Sequence, residues 1–552
     1  MFVDGVQLSM TACQQVKTMR IHTLHKRNSP STQEITTLVE LFTAGRYTEA
    51  AALAQKITVR YPQDGFGWKV LGALFKRMGR EENALVPMQK AAALLPHDAE
   101  AHNNLGITLM EMGRPEEALS SYRRAVEINP DFAEAHNNFG NALKSLYRPE
   151  KAEHCYRKAL EIRPDYAEAH SNLGNTLHEL GRLGEAEVSC RRALEIKPDY
   201  ARAHNNLGNA LRDNGRLQEA ETSYRQALKL KPDYAEALLN LGHILCDLDN
   251  LRQAANAYQS SYDFDPANSG LEAAVYSAIL CYLYGNFEQC RSWLIASQTI
   301  LTNRAPKYKN SRAYWCYLDK LLVGYQQSNQ ANHLVPSMEV LYVIGESHAL
   351  STHGVLVRHN NQEMRIAAEW ISGCKQWHLG NSKPNRFKHK FEAVMARLPQ
   401  QSNILLTIGE IDCRADEGII RAWKKMSDRS LEDIAQTTVS AYVKYVNDIA
   451  ARHDHQLIIG GVPATNIKMA AMSEDEKLKF VRLIRSFNTI LKEQAMSAGL
   501  SFLDVYSLTD RGDGIASGEW HIDDVHLLPN AVVEAFAKHC IQPPITTNFM
   551  RE

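Results

Sequence analysis

The chain has 552 residues, with 62 Lys and Arg against 63 Asp and Glu and a formal charge of −1, so bulk charge offers nothing to a polyanion and no nucleic-acid partner is expected. Its 44% hydrophobic and 23% charged content is that of a globular protein, while its longest apolar runs, AAALL at 91–95 and the stretch around Val340–Ile344, fall short of the ~20 residues of a membrane span. Its 10 cysteines form no CxxC pair, which argues against a disulfide scaffold or zinc ribbon and for buried reduced thiols.

The opening MFVDGVQLSMTACQQVKTMRIHTLHKR has no apolar core followed by a small-residue cleavage site, so residues 1–30 read as an N-terminal tail and the chain as cytoplasmic. From there the sequence repeats. Proline stands at 62, 96, 130, 164, 198, 232 and 266, a spacing of 34, with glycine in phase at 72, 106, 140, 174, 208 and 242. Ala50, Ala84, Ala118, Ala152, Ala186, Ala220 and Ala254 mark a third register. Within one unit, AEAHNNFGNALKSLYRPEKAEHCYRKALEIRPDY, apolar residues recur at helical spacing in two blocks around a short turn, with proline after the second. Each unit predicts a helical hairpin, which cannot bury its own apolar face and must stack on its neighbours into an α-solenoid with a concave surface. The small, large and proline positions resemble the tetratricopeptide repeat, with seven units over 31–268.

The sixth position of the unit is Asn in five consecutive repeats, Asn104, Asn138, Asn172, Asn206 and Asn240, after Thr36 and Val70 in the first two. A carboxamide both donates and accepts, so a row of them pairs with the backbone of an extended peptide with little regard to its side chains. The row resembles the asparagine ladder in the repeat domain of O-linked N-acetylglucosamine transferases, which implies a protein or extended peptide on the concave surface. The alternative is a solvated Asn copied by unit duplication. His102, His136, His170 and His204 are in register too, but a repeat apart they are too distant to share the ~2 Å bonds of one metal ion, and they read as packing residues. No metal and no cofactor is expected.

The period fails from 269 to 335, although GNFEQC at 285–290 echoes a repeat turn shifted by two residues. Aromatics crowd this stretch, among them Tyr276, Tyr282, Trp293, Tyr314, Trp315 and Tyr317, and it predicts a divergent helical cap. QQSNQANHLVPS at 326–337 marks the domain boundary. Over 336–552, short apolar runs alternate with amphipathic ones. EVLYVIG (339–345), MRIAAEW (364–370), NILLTIG (403–409), QLIIGGV (456–462) and LSFLDVY (500–506) predict strands of a mostly parallel sheet with helices on both faces, a three-layer, flavodoxin-like α/β domain. Ligands of such sheets bind beyond the carboxyl ends of the strands.

Those ends carry polar residues. The first strand runs into Gly345-Glu346-Ser347-His348 and the third into Gly409-Glu410-Ile411-Asp412-Cys413-Arg414, and His521-Ile522-Asp523-Asp524-Val525-His526 precedes a helix opened by Pro529. Ser347, Asp523 and His526 suit a nucleophile, an orienting carboxylate and a general base; each also suits helix capping. In order and spacing these blocks resemble the SGNH (GDSL-type) hydrolases. The resemblance implies that Ser347 attacks an acyl carbonyl, His526 takes its proton and Asp523 holds the imidazole. It also implies an oxyanion site at the Ser347 N–H and a glycine, Gly373 or, second, Gly380. Gly409, Asp412, Arg414 and His348 would line the pocket. Glu346 replaces the usual Asp of the first block. The third block, Gly-x-Asn-Asp in the family, is Gly409-Glu410-Ile411-Asp412 here and lacks the stabilising amide, for which Arg414 is a charged substitute. The expected function is a serine esterase or acyl-transfer enzyme acting on a small acyl (acetyl) ester or glycan, its repeats recruiting a protein. The alternative is a non-catalytic interaction scaffold with a degenerate hydrolase-like domain.

Overall fold

The computed structural model describes residues 29–302, 309–327, 338–345, 347–360, 362–371, 374–408, 429–464, 474–512, 516, 521 and 527–542. The chain divides into two compact units, Met1–Ala210 and Leu211–Glu552.

In the first unit, after the 12-residue helix Thr32–Thr43, helices of 14 and 13 residues alternate, as in Ala133–Ser145 followed by Pro149–Ile162. The three registers of the repeat each have a packing reason. The alanines Ala50, Ala84, Ala118, Ala152 and Ala186 are fully buried. Glycine at the eighth position admits a large side chain from the second helix of the same hairpin: a Cβ at Gly140 would lie 2.6 Å from the ring of Tyr156, and one at Gly106 2.6 Å from Tyr122. Proline follows the second helix and stops it, as Pro164 does after Ile162.

The turn inside each hairpin is left-handed. Gly45, Gly79, Gly113 and Gly181 have φ between 66° and 75°, and Tyr147 occupies the equivalent place at 56°. Tyr147 is 72% exposed, so its ring contributes little packing while its Cβ strains the turn. Tyr147→Gly is therefore expected to raise the stability of the first unit by about 0.5–1 kcal/mol; chemical denaturation followed by circular dichroism reads this directly.

In the second unit the hairpins continue through Ala235–Asp247 with Leu251–Phe264 and Gly270–Leu283 with Phe287–Ser297. Helical hairpins thus extend from 32 to 297, one beyond the seven read from the period. GNFEQC is the turn of that added hairpin, with Gly285 at φ 71°. Lys309–Gln327 follows as a further helix, and the cap's aromatics form a core in which Tyr282 and Tyr317 are buried with Leu271, Ile279 and Leu318.

The sheet has seven strands: β1 (Glu339–Gly345), β2 (Leu356–His359), β3 (Gln362–Trp370), β4 (Asn403–Thr407), β5 (Gln456–Gly460), β6 (Ser501–Leu503) and β7 (Cys540–Ile541). Their order is β2-β3-β1-β4-β5-β6-β7. The five inner strands are parallel, and β2 and β7 pair antiparallel at the two edges. Side chains alternate between faces. Ile344, Ile404 and Ile459 face Phe391, Tyr442 and Phe487 of the helices Arg386–Arg397, Leu431–Arg452 and Glu474–Ser497. Leu341, Leu405 and Ile458 face Ala349, Val532 and Phe536 of the helices Ser347–Thr352 and Pro529–Lys538. The result is a three-layer mixed sheet domain. The expected strand LSFLDVY ends at Leu503: Asp504 accepts from the Ser507 N–H at 3.0 Å and caps a short helix, Val505–Thr509.

Within this unit the last repeats and the sheet domain are joined by charge. Arg386 lies 3.5 Å from Asp213 and 3.7 Å from Asp247. Lys390 Nζ donates to the Cys246 carbonyl at 2.6 Å, and Arg397 lies 3.0 Å from Asp249 and pairs with Glu369. Burial pushes the Glu369 carboxyl above its ordinary value, against the pull of Arg397. At Gly215, φ is 80° and a Cβ would stand 3.2 Å from the Asn385 backbone, so this turn can meet the helix Arg386–Arg397 only as glycine.

Candidate functional site

Two sets of residues predicted from the sequence fall in very different surroundings. The asparagine row lies on the first helix of successive hairpins. Asn138 Nδ2 donates to Asn103 Oδ1 at 3.1 Å, Asn172 Nδ2 to Asn137 Oδ1 at 3.0 Å, and Asn206 Nδ2 to the Ser171 carbonyl and hydroxyl at 3.2 and 3.0 Å. Each bond reaches 35 residues back, from the sixth position of one repeat to the fifth position of the repeat before. Asn104 is buried on the same register, where the residue 35 earlier is Lys69; that ammonium pairs with Asp98 at 2.9 Å and Glu100 at 2.7 Å. Asn240, the fifth member, is half-buried in the second unit.

One donated N–H leaves the carboxamides of Asn138 and Asn172 with a second N–H, and all three carboxamides keep their oxygen. The Oδ1 atoms of Asn138, Asn172 and Asn206 accept no hydrogen bond among the described residues. The row therefore keeps an acceptor at each of three successive repeats.

The histidines beside it are latches. His136, His170 and His204 place Nε2 2.9, 2.9 and 3.0 Å from the carbonyls of Pro130, Pro164 and Pro198. A carbonyl only accepts, so the Nε2–H tautomer is selected, and each ring ties its helix to the preceding turn. The packing role read from the sequence thus includes a polar bond that periodicity could not reveal.

The second set lies at the carboxyl edge of the sheet. Ser347 and His348 are the first two residues of the helix Ser347–Thr352, directly after β1. Counted among the parallel strands alone, the order is 2-1-3-4-5, and β1 is where it reverses, between β3 and β4. The helix is held from two sides: Ala349 is buried in the core beneath the sheet, Leu350 in the core of the cap. Asp523, His526, Gly373, Gly409, Asp412 and Arg414, and the side chains of Ser347 and His348, lie outside the described residues. Gly380 is described, and its position is one of packing: a Cβ there would stand 3.0 Å from Ala441 and from the Tyr442 backbone nitrogen, so its lack of a side chain serves helix contact.

Three buried polar residues that carry no sequence motif fix the loops of this edge. Gln376, fully buried, donates from Nε2 to the Ile408 carbonyl at 2.6 Å and so holds the turn after β4. Asn488 accepts from the Val462 N–H at 2.8 Å and donates to its carbonyl at 3.0 Å, and Thr509 accepts from the Ala464 N–H at 2.8 Å, which together hold the loop after β5. Between these loops and the helix Ser347–Thr352 is a cavity of about 30 Å³, lined by Ser351, Thr352, Thr407, Gly461, Leu527 and Val532 among others.

Comparison with known proteins bears on the helical part. Profiles of the tetratricopeptide repeat match residues 99–132 and 167–200, 121–154 and 189–222, and 150–181 and 208–249. No curated protein matches the chain. Among solved structures it is similar to YrrB, described as a TPR protein with an unusual peptide-binding site, at 24% identity over 34% of this chain and 96% of that one, TM-score 0.27. It is also similar to PilF of Pseudomonas aeruginosa, at 22% identity over 39% and 96% of the two chains, TM-score 0.33. A third is MamA of Desulfovibrio magneticus RS-1, at 22% identity over 31% and 96%, TM-score 0.28. With hairpins of 13 and 14 residues, a small residue at each close crossing and these profile matches end to end, residues 99–249 are tetratricopeptide repeats.

Proposed function

We propose that this chain is a protein-interaction scaffold whose tetratricopeptide repeats take an extended peptide or protein segment along the asparagine row. The observation that carries this reading is the row's chemistry: Asn138, Asn172 and Asn206 are oriented by bonds to the preceding repeat and retain acceptors without partners among the described residues. A peptide main chain offers N–H donors at regular intervals whatever its side chains, and an acceptor row set in rigid helices suits it. The test is a random-sequence peptide library panned on the full chain, with affinities of selected peptides measured for wild type and for the Asn138→Ala, Asn172→Ala, Asn206→Ala triple variant. Affinity is expected to fall at least tenfold at a temperature where circular dichroism shows the variant folded. Unchanged affinity would leave the row with only its inter-repeat role.

A second reading has its own observation in support. Ser347 opens a helix at the carboxyl end of the strand where the parallel order reverses, held from both sides by buried packing, and that is where doubly wound sheets bind ligands. On this reading the sheet domain carries ester chemistry of the SGNH type. Ser347 Oγ attacks the acyl carbonyl, its proton passes to His526 and on to the departing alcohol, Asp523 holds the imidazole, and water then releases the acid. The substrate class is a small acyl ester, on a glycan or another alcohol.

A further inference from the structure

The asparagine row repeats in space at the interval of the helices that carry it. Asn138, Asn172 and Asn206 stand on successive first helices that are tied directly to the one before, amide to amide or amide to serine, at 3.0 to 3.2 Å. Helices in such direct contact have axes about 8–10 Å apart, so equivalent atoms recur at about that interval. The acceptors are open only to a close approach. Asn172 and Asn206 are 7% and 4% exposed, yet their Oδ1 atoms are not among the buried, unpartnered polar atoms of the described residues. Each oxygen therefore meets solvent at the bottom of the face, where a slim main chain fits and a broad element does not.

A second row lies one step along the same helices. Asn141 and Asn175 follow Asn138 and Asn172 by three residues on the helices Ala133–Ser145 and Ala167–Glu179, hence beside them on one face. Both are half-buried. Asn141 Oδ1 accepts from the Tyr156 hydroxyl at 2.8 Å, and neither its Nδ2 nor the Asn175 carboxamide has a partner among the described residues. Two successive repeats thus offer an acceptor and, next to it, a donor.

An extended ligand has to keep step with that interval. In a β-strand the N–H groups along one edge recur every second residue, about 6.8 Å apart, and fall out of phase within one repeat. In an α-helix they are taken by the ligand's own hydrogen bonds. A polyproline II chain has three residues per turn and rises about 3.1 Å per residue, so the N–H groups on one side recur at about 9.3 Å, and none of them is used internally. Of the three, only this chain is in phase with the row, and its unpaired carbonyls suit the donors of the second row.

We propose that the segment taken up along the asparagine row is a proline-rich stretch in the polyproline II conformation, three residues to each repeat, with a residue other than proline at every third position. This rests on the peptide reading of the row and gives it a partner class. The third-position residue supplies the N–H that the Oδ1 of Asn138, Asn172 or Asn206 accepts. Proline has no N–H and holds its φ near −65°, so prolines at the two intervening positions preset the chain and reduce the entropy lost on binding. Engaging three repeats takes about seven residues of such a stretch.

The test is fluorescence anisotropy with the full chain and three labelled peptides of equal length: four repeats of Ala-Pro-Pro, six repeats of Ala-Pro, and twelve prolines. The first places an N–H at every third residue, the second at every second residue, as a strand would, and the third has none. Ala-Pro-Pro is expected to bind at least fivefold more tightly than Ala-Pro, despite having fewer N–H groups, and at least twentyfold more tightly than polyproline. The Asn138→Ala, Asn172→Ala, Asn206→Ala triple variant should lose that preference. Because those changes also remove bonds between repeats, a second variant, Asn141→Asp with Asn175→Asp, keeps an acceptor for Tyr156 but offers no donor to a carbonyl. It should weaken Ala-Pro-Pro binding at least fivefold while its circular dichroism stays that of wild type. An Ala-Pro peptide that binds as tightly as Ala-Pro-Pro, or an Ala-Pro-Pro peptide that fails to bind while library-selected peptides bind through the asparagines, overturns the three-residue register and leaves the peptide reading standing. Library peptides whose binding no asparagine substitution weakens, or a library that yields no binder, overturn both.

Discussion

Replacing Asp247 with alanine is expected to destabilise the second unit by roughly 2–4 kcal/mol, because it leaves guanidinium groups in a poorly hydrated place without their carboxylate. Asp247 Oδ2 accepts from Arg212 Nε at 2.9 Å and lies 3.7 Å from Arg386, and the three side chains are only 17%, 16% and 21% exposed. Arg386 keeps Asp213 at 3.5 Å, so Arg212 loses most, and Asp247→Asn, which retains an acceptor, should cost less than alanine. Denaturation followed by circular dichroism, with tryptophan fluorescence reporting the second unit's Trp293, Trp315 and Trp370, measures the difference. Burial alone would raise the Asp247 carboxyl, but Arg212 and Arg386 outweigh it and hold the group below its ordinary value. The unfolded chain therefore takes up this proton first as pH falls, so the contribution is complete above the unfolded value near 4 and is lost below it as pH falls through the folded value. The wild-type and Asp247→Ala stability curves are expected to converge toward pH 3, and a gap that stayed constant from pH 7 to pH 3 would show that the carboxylate charge is not what matters.

Ser347→Ala is expected to abolish p-nitrophenyl acetate hydrolysis, a loss on the order of 10⁴-fold in kcat if the wild type has the triad that its motifs imply. The change should leave the fold intact, since the helix it opens is held by Ala349 and Leu350. Asp523→Asn and His526→Ala should fall to a similar floor, because residues that act as one unit do not add. The wild type itself should be slow beside an enzyme with a full oxyanion site, where one missing donor costs about 3–4 kcal/mol. Equal rates for wild type and Ser347→Ala would remove the ester reading and leave the scaffold as the whole function.

What the sequence made legible depended on repetition and run length. Seven units at a spacing of 34 made seven hairpins visible and left the eighth, Gly270–Leu283 with Phe287–Ser297, to the echo GNFEQC, and β1 could be read residue for residue because VLYVIG after Glu339 is an unbroken apolar run. LVRH at β2 and the two residues of β7 are too short to rise above their surroundings, and they exist because β3 and β6 offer them edges. The asparagine row was legible as a row. Its bonds to residues 35 positions back were not, since they arise only when one hairpin is stacked on the next. Gln376, Asn488 and Thr407 are lone polar residues in apolar or mixed stretches, and only the folded edge shows that two of them clamp loops while the hydroxyl of the third is buried without a partner among the described residues. The attachment of Arg386, Lys390 and Arg397 to Asp213, Asp247, Asp249 and the Cys246 carbonyl joins segments more than 130 residues apart in the chain, with no local pattern to announce it.

The amide bonds from one repeat to the next bear on how such a chain can grow. Because Asn138, Asn172 and Asn206 each find an acceptor in the neighbouring unit, a copied interior unit arrives carrying both the donor that its predecessor can receive and the acceptor that its successor needs. Lengthening by whole units then strands no polar group, and the hydrogen-bonding ledger balances at any number of copies. At the C-terminal end of the run both partners change together: Leu239 replaces the acceptor of the fifth position, and Ala274 stands where the next Asn would have been. Insertion or deletion of a single interior unit should thus be tolerated far better than the substitution of one asparagine within it.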